Sequence, residues 1–326
     1  MSASRRAATL PPGPPLNPFE RLVFAALMAA LWLLRRLPDR PLYRAAFAIG
    51  AGLYLLLPQR RALVRENLVV VVDWLVANDK AIPRVARAAR DGRALDRLVR
   101  AAFGHWVLTY VEAALAPRYS GEELERRFTA SDPAMSKEAV TARPPGEPGL
   151  IHMAMHFGAV DLSAIYGARV GELPLTGPME LVESPLARAY FDRVRHDLGV
   201  TIVPLEDAAA ALTEALARGE AVGIVADRNI AGRGTRMDLF GRPIRLPVGP
   251  AMLAVQTGAP LYLQAIERDK PGEWLGHTVR LDPPPGAKRR EATRDILEQE
   301  VRCLLYTSPS PRDRSAYLVC RLLLEQ

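Results

Sequence analysis

The pair His156 and Asp161 is the first candidate for chemistry. His156 follows an apolar run that starts at residue 149, and four residues separate it from Asp161. If a helix begins near Gly158, the carboxylate lies one turn in and can contact the imidazole, while the helix N-terminus offers N–H groups to an oxyanion. A carboxylate on one ring nitrogen leaves the other free to accept a proton from a hydroxyl. The spacing predicts a general base with its orienting partner, but a buried histidine that caps a helix has the same spacing.

The sequence lacks the residues that a zinc protease or a serine hydrolase needs. His152 and His156 have the spacing of a zinc-binding pair, but the glutamate of a zincin is absent and the segment reads as a strand. The G-x-S-x-G elbow is missing, which disfavours an acyl-enzyme on serine. Cys303 and Cys320 have no C-x-x-C or Cys/His spacing, so a zinc module and a disulfide framework are both disfavoured, and a reducing compartment fits. We expect no metal site and no cofactor.

Other polar residues could bind a ligand, and those after the buried run 219–226 stand at the carboxyl end of a strand, where open α/β sheets place ligand groups. They follow the strand-like run 173–178, end the buried run 219–226 and lie in the Gly/Pro-rich segment 239–250. These residues are Glu180, Arg195, Asp227, Arg228, Arg242 and Arg245. Each segment is also compatible with a salt-bridged surface loop.

Alternating segments predict the fold of residues 149–304. Strand-like apolar runs are 149–155, 173–178, 200–204, 221–226 and 259–267. Helix-like segments between them are 161–166, 185–198, 208–218 and 250–256. This alternation predicts an α/β core with a mixed, largely parallel sheet flanked by helices.

The predicted catalytic domain is 61–304, and before its α/β core it contains a helical layer over 61–130 and a break over 131–148, where Ser, Pro and Gly cluster. Residues 305–326 have no apolar periodicity and resemble translated sequencing-adapter read-through. We therefore expect this tail to be non-native and assign it no function.

Residues 1–60 combine a Pro-rich tail with two apolar runs, 22–34 and 45–57, and arginine pairs follow both runs. A helix of about thirteen residues covers about 20 Å, less than the ~30 Å hydrocarbon core of a bilayer. We expect peripheral or monotopic membrane association, with the arginines and the catalytic domain on the cytoplasmic face of the plasma (inner) membrane. Two core helices of a soluble protein are the alternative.

The net charge of +7, from 43 Lys and Arg against 36 Asp and Glu, suits anionic lipid headgroups, acyl-carrier phosphates or nucleic acid. The arginines are dispersed among apolar helices, and an aromatic-basic motif is absent. This distribution disfavours nucleic acid as a partner.

Several ordered motifs between about residues 22 and 304 resemble one group of enzymes. Besides the apolar N-terminal helix, they are Arg65-Glu-Asn-Leu68, the 103–112 helix, the His156–Asp161 box, Glu180 with Arg195, Ala226-Asp-Arg-Asn229 and Phe240-Gly-Arg-Pro-Ile-Arg-Leu-Pro-Val-Gly-Pro250. The combination resembles the lysophospholipid acyltransferase superfamily, in the branch of the lipid A lauroyl/myristoyl acyltransferases and the phosphatidylinositol mannoside acyltransferases. The last two motifs look closer to the mannoside enzymes.

The resemblance implies a glycerol-3-phosphate acyltransferase-like fold and a membrane-associated O-acyltransferase. Such an enzyme moves a fatty acyl chain from acyl-CoA or acyl carrier protein to a hydroxyl of a glycolipid or lysophospholipid, and a phosphatidylinositol mannoside-type acceptor is favoured. By the resemblance, His156 deprotonates the acceptor and Asp161 is its partner. Glu180 and Arg195 then help to shape the acceptor and donor site, and Asp227 and Arg228 line the same cleft.

Two other functions fit the same sequence. One is acyl transfer to lysophosphatidic acid or to a lipid A precursor on the same fold. The other is a non-catalytic membrane lipid-binding protein, whose basic residues only bind headgroups. Transfer or acyl-CoA hydrolysis that depends on His156 distinguishes the enzymes from the binding protein.

Overall fold

The computed structural model describes residues 15–180, 184–229, 232 and 234–306. The helices are α1 (Pro18–Leu34), α2 (Asp39–Leu56), α3 (Pro58–Ala77), α4 (Pro83–Ala88), α5 (Gly92–Leu115), α6 (Gly121–Arg127), α7 (Pro133–Ala139), α8 (Val160–Val170), α9 (Pro185–Leu198), α10 (Ala208–Ala217), α11 (Gly249–Thr257) and α12 (Arg289–Tyr306). The strands are β1 (Phe128–Ala130), β2 (Ile151–Gly158), β3 (Leu175–Met179), β4 (Val200–Pro204), β5 (Ala221–Val225), β6 (Gly234–Leu239), β7 (Arg242–Pro247), β8 (Leu261–Lys270) and β9 (Glu273–Leu281).

One sheet organises the core, with the strand order β1-β9-β8-β2-β5-β3-β4. Strands β8, β2, β5, β3 and β4 run parallel, and β9 is antiparallel to β8. Strands β6 and β7 form a separate antiparallel hairpin. The prediction of a mixed, largely parallel sheet flanked by helices is confirmed.

Strand β2 lies in the middle of this sheet and is covered on both faces. Ile151, Met153 and Met155 join one apolar cluster with side chains of α10, α11 and α12. On the other face, Leu150, which precedes the strand, packs with Ala139 of α7 and with β8. Burying each large apolar side chain contributes about 1.5–3 kcal/mol. A strand that is buried on both faces reads as an almost unbroken apolar run, which explains why it is visible in the sequence.

The strands and helices predicted between residues 149 and 267 all form, with ends shifted by a few residues. The predicted break at 131–148 instead contains α7, because Asp132 accepts the backbone N–H of Met135 at 3.0 Å and Pro133 occupies the first turn. An aspartate cap followed by proline starts a helix. The predicted helical layer 61–130 ends in a strand, because β1 pairs with β9 in the main sheet.

The hairpin β6–β7 and strand β9 were not predicted. The segment from 239 reads as a loop because Pro243, Pro247 and two arginines interrupt the apolar alternation of β7. In β9, Gly276 and His277 weaken the same signal. Pairing with β8 forms β9, and pairing with β6 forms β7. Such tertiary pairing overrides a weak local preference.

Helices α1 and α2 form over the two N-terminal apolar runs. Helix α1 has no buried residue and exposes Phe19, Leu22 and Trp32. Helix α2 packs closely on α5, since a Cβ on Gly50 would lie 2.5 Å from the backbone nitrogen of Gly104. In the described part of the chain, no single helix is long and apolar enough to cross a bilayer; α2 and α3 pass that test together, bent by 103°.

Candidate active site

The parallel pairing of β2 and β5 brings His156 beside Asp227. Ala154 lies opposite Val225 in the register of these strands, so the residues two positions further on meet at the same edge. The backbone N–H of His156 donates to Asp227 Oδ2 at 2.8 Å, and His156 Nδ1 lies 2.7 Å from Asp227 Oδ1. The Asp227 side chain is 1% exposed and the His156 side chain is 23% exposed. The carboxylate is therefore buried behind a ring that reaches the surface.

This contact determines which ring nitrogen can act as a base. A carboxylate accepts hydrogen bonds and does not donate them, so Nδ1 of the neutral ring carries the proton that Asp227 accepts. The lone pair then lies on Nε2, to which no described residue is hydrogen-bonded. An imidazole oriented in this way can accept a proton from a hydroxyl and is stabilised as an imidazolium by the buried carboxylate.

The role predicted for Asp161 requires a correction. Asp161 lies in the first turn of α8 and its side chain is exposed. Nδ1 of His156 offers a single hydrogen-bonding position, and Asp227 occupies it. Burial raises the pKa of the Tyr190 phenol and the charge of Asp161 adds to the rise, so the Asp161 carboxylate lies within electrostatic range of α9. The orienting partner is therefore Asp227, which the sequence placed only among the substrate-binding residues.

The other predicted site residues lie around the same edge without a shared contact. Glu180 directly follows β3 and is exposed, and Arg228 is exposed beside Asp227. Arg242 and Arg245 are exposed on β7, where Arg245 Nη1 donates to Gly234 O at 3.2 Å. The side chain of Arg195, on α9, lies outside the described residues. For all of these, substrate binding stays a prediction.

His152 is a core residue in this structure. It is buried, and its Nδ1 lies 3.2 Å from Gln264 Oε1 on the neighbouring strand β8. Burial lowers the pKa of the imidazole, which keeps it neutral. Among the described residues, no group of three or more His, Cys, Asp and Glu side chains could bind a metal ion.

The residues that contact the turn after His156 were not predicted from the sequence. Gly158 has φ of +55°, and its carbonyl accepts a hydrogen bond from Arg268 Nη2 at 2.7 Å. Arg268 in turn forms an ion pair with Glu112. Glu112 lies in the 103–112 segment, which the family resemblance included, but its partner is distant in the chain.

Glu300 is a second missed carboxyl group. It lies on α12, it is buried, and neither of its carboxyl oxygens has a hydrogen-bond partner among the described residues. Burial raises the pKa of Glu300 to about 8, and the negative charge of Asp227 adds to the rise. At neutral pH Glu300 is therefore mainly protonated, and it adds little negative charge near the His156–Asp227 pair.

One family model matches most of the sequence. It covers residues 17–301 and is described as bacterial lipid A biosynthesis acyltransferase. The chain belongs to this family. The match confirms the family that was predicted from the ordered motifs. It also confirms the predicted enzyme class, acyltransferase.

Curated relatives are named phosphatidylinositol mannoside acyltransferase. The protein of that name from Mycobacterium tuberculosis is 32% identical over 117 residues, which are 35% of this chain and 37% of the relative. The one from Mycolicibacterium smegmatis is 26% identical over 171 residues, 51% of this chain and 55% of the relative. The chain thus spans about a third to a half of the length of these relatives.

A solved structure also resembles this chain. The crystal structure of the 1-acyl-sn-glycerophosphate (LPA) acyltransferase, PlsC, from Thermotoga maritima shares 16% sequence identity and covers 82% of this chain and 97% of that chain, with a TM-score of 0.36.

We predict that Glu300→Gln stabilises the chain increasingly as the pH rises from 4.5, the ordinary pKa of glutamate, to about 8. In this range the unfolded wild-type chain has released the Glu300 proton while the folded chain retains it. The free energy of unfolding of the wild type therefore falls by up to about 1.4 kcal/mol per pH unit relative to the variant, because glutamine does not titrate. Urea unfolding of both proteins at several pH values in this range measures the difference.

Glu298→Gln is the matched control on the same helix, because the Glu298 side chain is 46% exposed and pairs with Arg294. An exposed ion pair contributes little to stability, so the difference in unfolding free energy between Glu298→Gln and the wild type should change little with pH. If this difference from wild type has the same pH dependence in Glu300→Gln and in Glu298→Gln, Glu300 is not held protonated by the fold.

Proposed function

We propose that this chain is a membrane-associated O-acyltransferase that transfers a fatty acyl chain from an acyl thioester to a hydroxyl of a lipid acceptor. The observation that carries the proposal is the His156–Asp227 pair, in which a buried carboxylate binds one ring nitrogen and leaves the other available. The pair lies at the carboxyl edge of a parallel sheet, where such folds bind ligands. The chain also belongs to a family of acyltransferases.

The proposed reaction is a direct transfer without an acyl-enzyme. Nε2 of His156 removes the proton of the acceptor hydroxyl as the oxygen attacks the thioester carbonyl carbon. The C–O bond forms, and the carbonyl electrons move onto an oxyanion. When this intermediate collapses, the C–S bond breaks, and the leaving thiolate takes the proton back from the imidazolium. Asp227 stabilises the positive charge of the ring between these two proton transfers.

The acceptor that we favour is a phosphatidylinositol mannoside-type glycolipid, because the curated relatives carry that name. The donor is acyl-CoA or acyl carrier protein, and no cofactor is required for this chemistry. We propose that the exposed guanidinium groups of Arg228, Arg242 and Arg245 bind phosphates of the donor or acceptor. We assign Glu180, Arg195 and Asp161 to the walls of the same cleft.

The N-terminal helices support the proposed membrane association. Leu22 and Leu33 of α1 and Leu55 and Leu56 of α2 are all more than half exposed. Arg60 and Arg61 follow directly on α3; Arg60 is exposed, and Arg61 is half-buried with its guanidinium over the Tyr54 ring. Exposed apolar side chains next to arginines suit insertion into one leaflet with the cations at the headgroups. We propose that the catalytic edge lies at the cytoplasmic face of the inner membrane.

The chemistry is tested by crossing acyl-CoA donors of different chain length with three acceptors: phosphatidylinositol mannosides, lysophosphatidic acid and a lipid A precursor. Products are measured by mass spectrometry. We expect His156→Ala to lower the transfer rate on the order of 10²- to 10⁴-fold. Asp227→Asn should cause a loss of similar order, because an amide favours the wrong tautomer. Asp161→Asn should lose less than Asp227→Asn.

Circular dichroism and the unfolding midpoint of each variant serve as the folding control for this assay. A folded His156→Ala variant with near-wild-type turnover would rule out the base. Lipid binding without any product from the wild type would instead favour the non-catalytic lipid-binding protein.

Membrane association is tested by flotation with vesicles of zwitterionic and anionic phospholipids. We expect Leu22→Ser with Leu33→Ser to weaken binding at least about tenfold, since burying each leucine contributes about 1.5–3 kcal/mol. Met252→Ser with Val279→Ser is the control, because these exposed apolar residues lie on α11 and β9. Equal flotation of the wild type and the α1 variant would contradict docking through α1.

A further inference from the structure

A buried ion pair between Glu112 of α5 and Arg268 of β8 lies behind the turn that follows His156. Arg268 Nε donates to Glu112 Oε2 at 2.7 Å, and Nη2 lies 2.6 Å from the same oxygen. The Arg268 and Glu112 side chains are 9% and 2% exposed. Charges at this depth are tolerated only when their other donors and acceptors are also satisfied.

The second oxygen of Glu112 is bonded by two more elements. The hydroxyl of Tyr43, on α2, donates to Oε1 at 2.6 Å, and Trp274 Nε1, on β9, donates to it at 3.1 Å. Burial raises the pKa of Tyr43 and the Glu112 charge raises it further, so the phenol remains a proton donor. Helix α2, helix α5 and strands β8 and β9 therefore fix the position of one carboxylate.

The guanidinium of Arg268 also contacts the turn that follows His156. Nη2 donates to Gly158 O at 2.7 Å and to Thr109 Oγ1 at 3.0 Å, and Thr109 Oγ1 lies 3.4 Å from Gly158 O. Gly158 itself is constrained, because a Cβ there would lie 1.7 Å from Ile266 O. The peptide two residues after His156 is thus fixed by a close backbone contact and by a charged donor.

We propose that Arg268 and Glu112 are positioning residues for acyl transfer, an inference that rests on the function proposed above. Arg268 fixes the carbonyl of Gly158, and Glu112 fixes Arg268. The turn that leads from His156 into α8 then has one conformation. Neither residue contacts the acceptor or the thioester in this role. Displacing a reacting group by about 1 Å can cost on the order of 100-fold in rate, which gives the turn its importance.

An arginine is required at this position because its planar fork reaches the carboxylate and the carbonyl at once. A lysine retains one positive charge beside Glu112, but its single ammonium group cannot bond Glu112 Oε2 and Gly158 O in the way that the planar guanidinium does. Arg268→Lys therefore loosens the turn while it avoids an unpaired buried charge.

The test measures kcat and KM of the full-length Arg268→Lys protein in the His156-dependent transfer assay, well below its unfolding midpoint. We expect kcat to fall on the order of 10- to 100-fold. KM for the donor and the acceptor should stay within about twofold, because the residues proposed to bind substrate are unchanged. A purely structural ion pair would leave the kcat of the folded protein unaltered.

Thr109→Val provides a second variant that leaves the ion pair intact. Valine matches threonine in size but lacks the hydroxyl that contacts Arg268 Nη2 and Gly158 O. We expect a smaller fall in kcat, again without a change in KM. This variant keeps the proposal testable if Arg268→Lys does not fold.

Arg127→Lys is the matched control. Arg127 Nη1 likewise joins a carboxylate, Asp39 Oδ2, to a glycine carbonyl, Gly272 O, at 2.9 Å each, but at the β8–β9 turn. We expect this variant to lose stability and to retain kcat within about twofold. Wild-type kcat in both Arg268→Lys and Thr109→Val, or an equal fall in Arg127→Lys, overturns the positioning role. A wild type without His156-dependent transfer instead refutes the proposed function, and the positioning role with it.

Discussion

Two hydrogen bonds join Asp227 to His156, one at the backbone N–H and one at the ring, and the candidate site depends on this double contact. The backbone bond fixes where β2 ends relative to β5, and the ring bond fixes the tautomer. Both need β2 and β5 to be neighbours in a register that aligns their carboxyl ends. A nearly fully buried carboxylate loses much of its hydration, and hydrogen bonds to charged groups are strong enough to offset part of that cost. Glu300, kept protonated by burial, adds little further negative charge to this region.

Helices α5 and α2 do more than cover the sheet, because they also contribute contacts to the candidate site. Helix α5 supplies Glu112 and Thr109, which reach the turn after His156 through Arg268. Helix α2 is bonded to the same carboxylate through Tyr43, and its surface residues Leu55 and Leu56 are among the most exposed apolar side chains. Helix α2, one of the two helices that we propose to dock on the membrane, is therefore tied by consecutive hydrogen bonds to the segment that carries His156.

Most elements of the core, and the position of His156 at the end of one strand, could be predicted from the sequence, but the carboxylate that bonds its Nδ1 could not. Strands buried on both faces read as apolar runs, and His156 stands at the end of one. Asp227 ends another such run, so a signal for it existed. Strand order decides whether two runs are neighbours, and no local pattern encodes that order. The local spacing instead favoured Asp161. Arg268 and Glu112 are 156 positions apart, and their contact follows only from the folded packing. The hairpin β6–β7 was hidden because its prolines and arginines leave little apolar periodicity.

The geometry of the pair requires that Asp227 holds His156 with its proton on Nδ1 and its lone pair on Nε2. Nitrogen-15 NMR of the histidine rings tests it most directly, with the His156 signals assigned by their loss in His156→Ala among the five histidines of the chain. We expect, for the neutral ring, a protonated Nδ1 and an unprotonated Nε2, and a change of this pattern in Asp227→Asn but not in Asp161→Asn. A neutral ring protonated at Nε2, or a pattern that responds to Asp161 and not to Asp227, would contradict it.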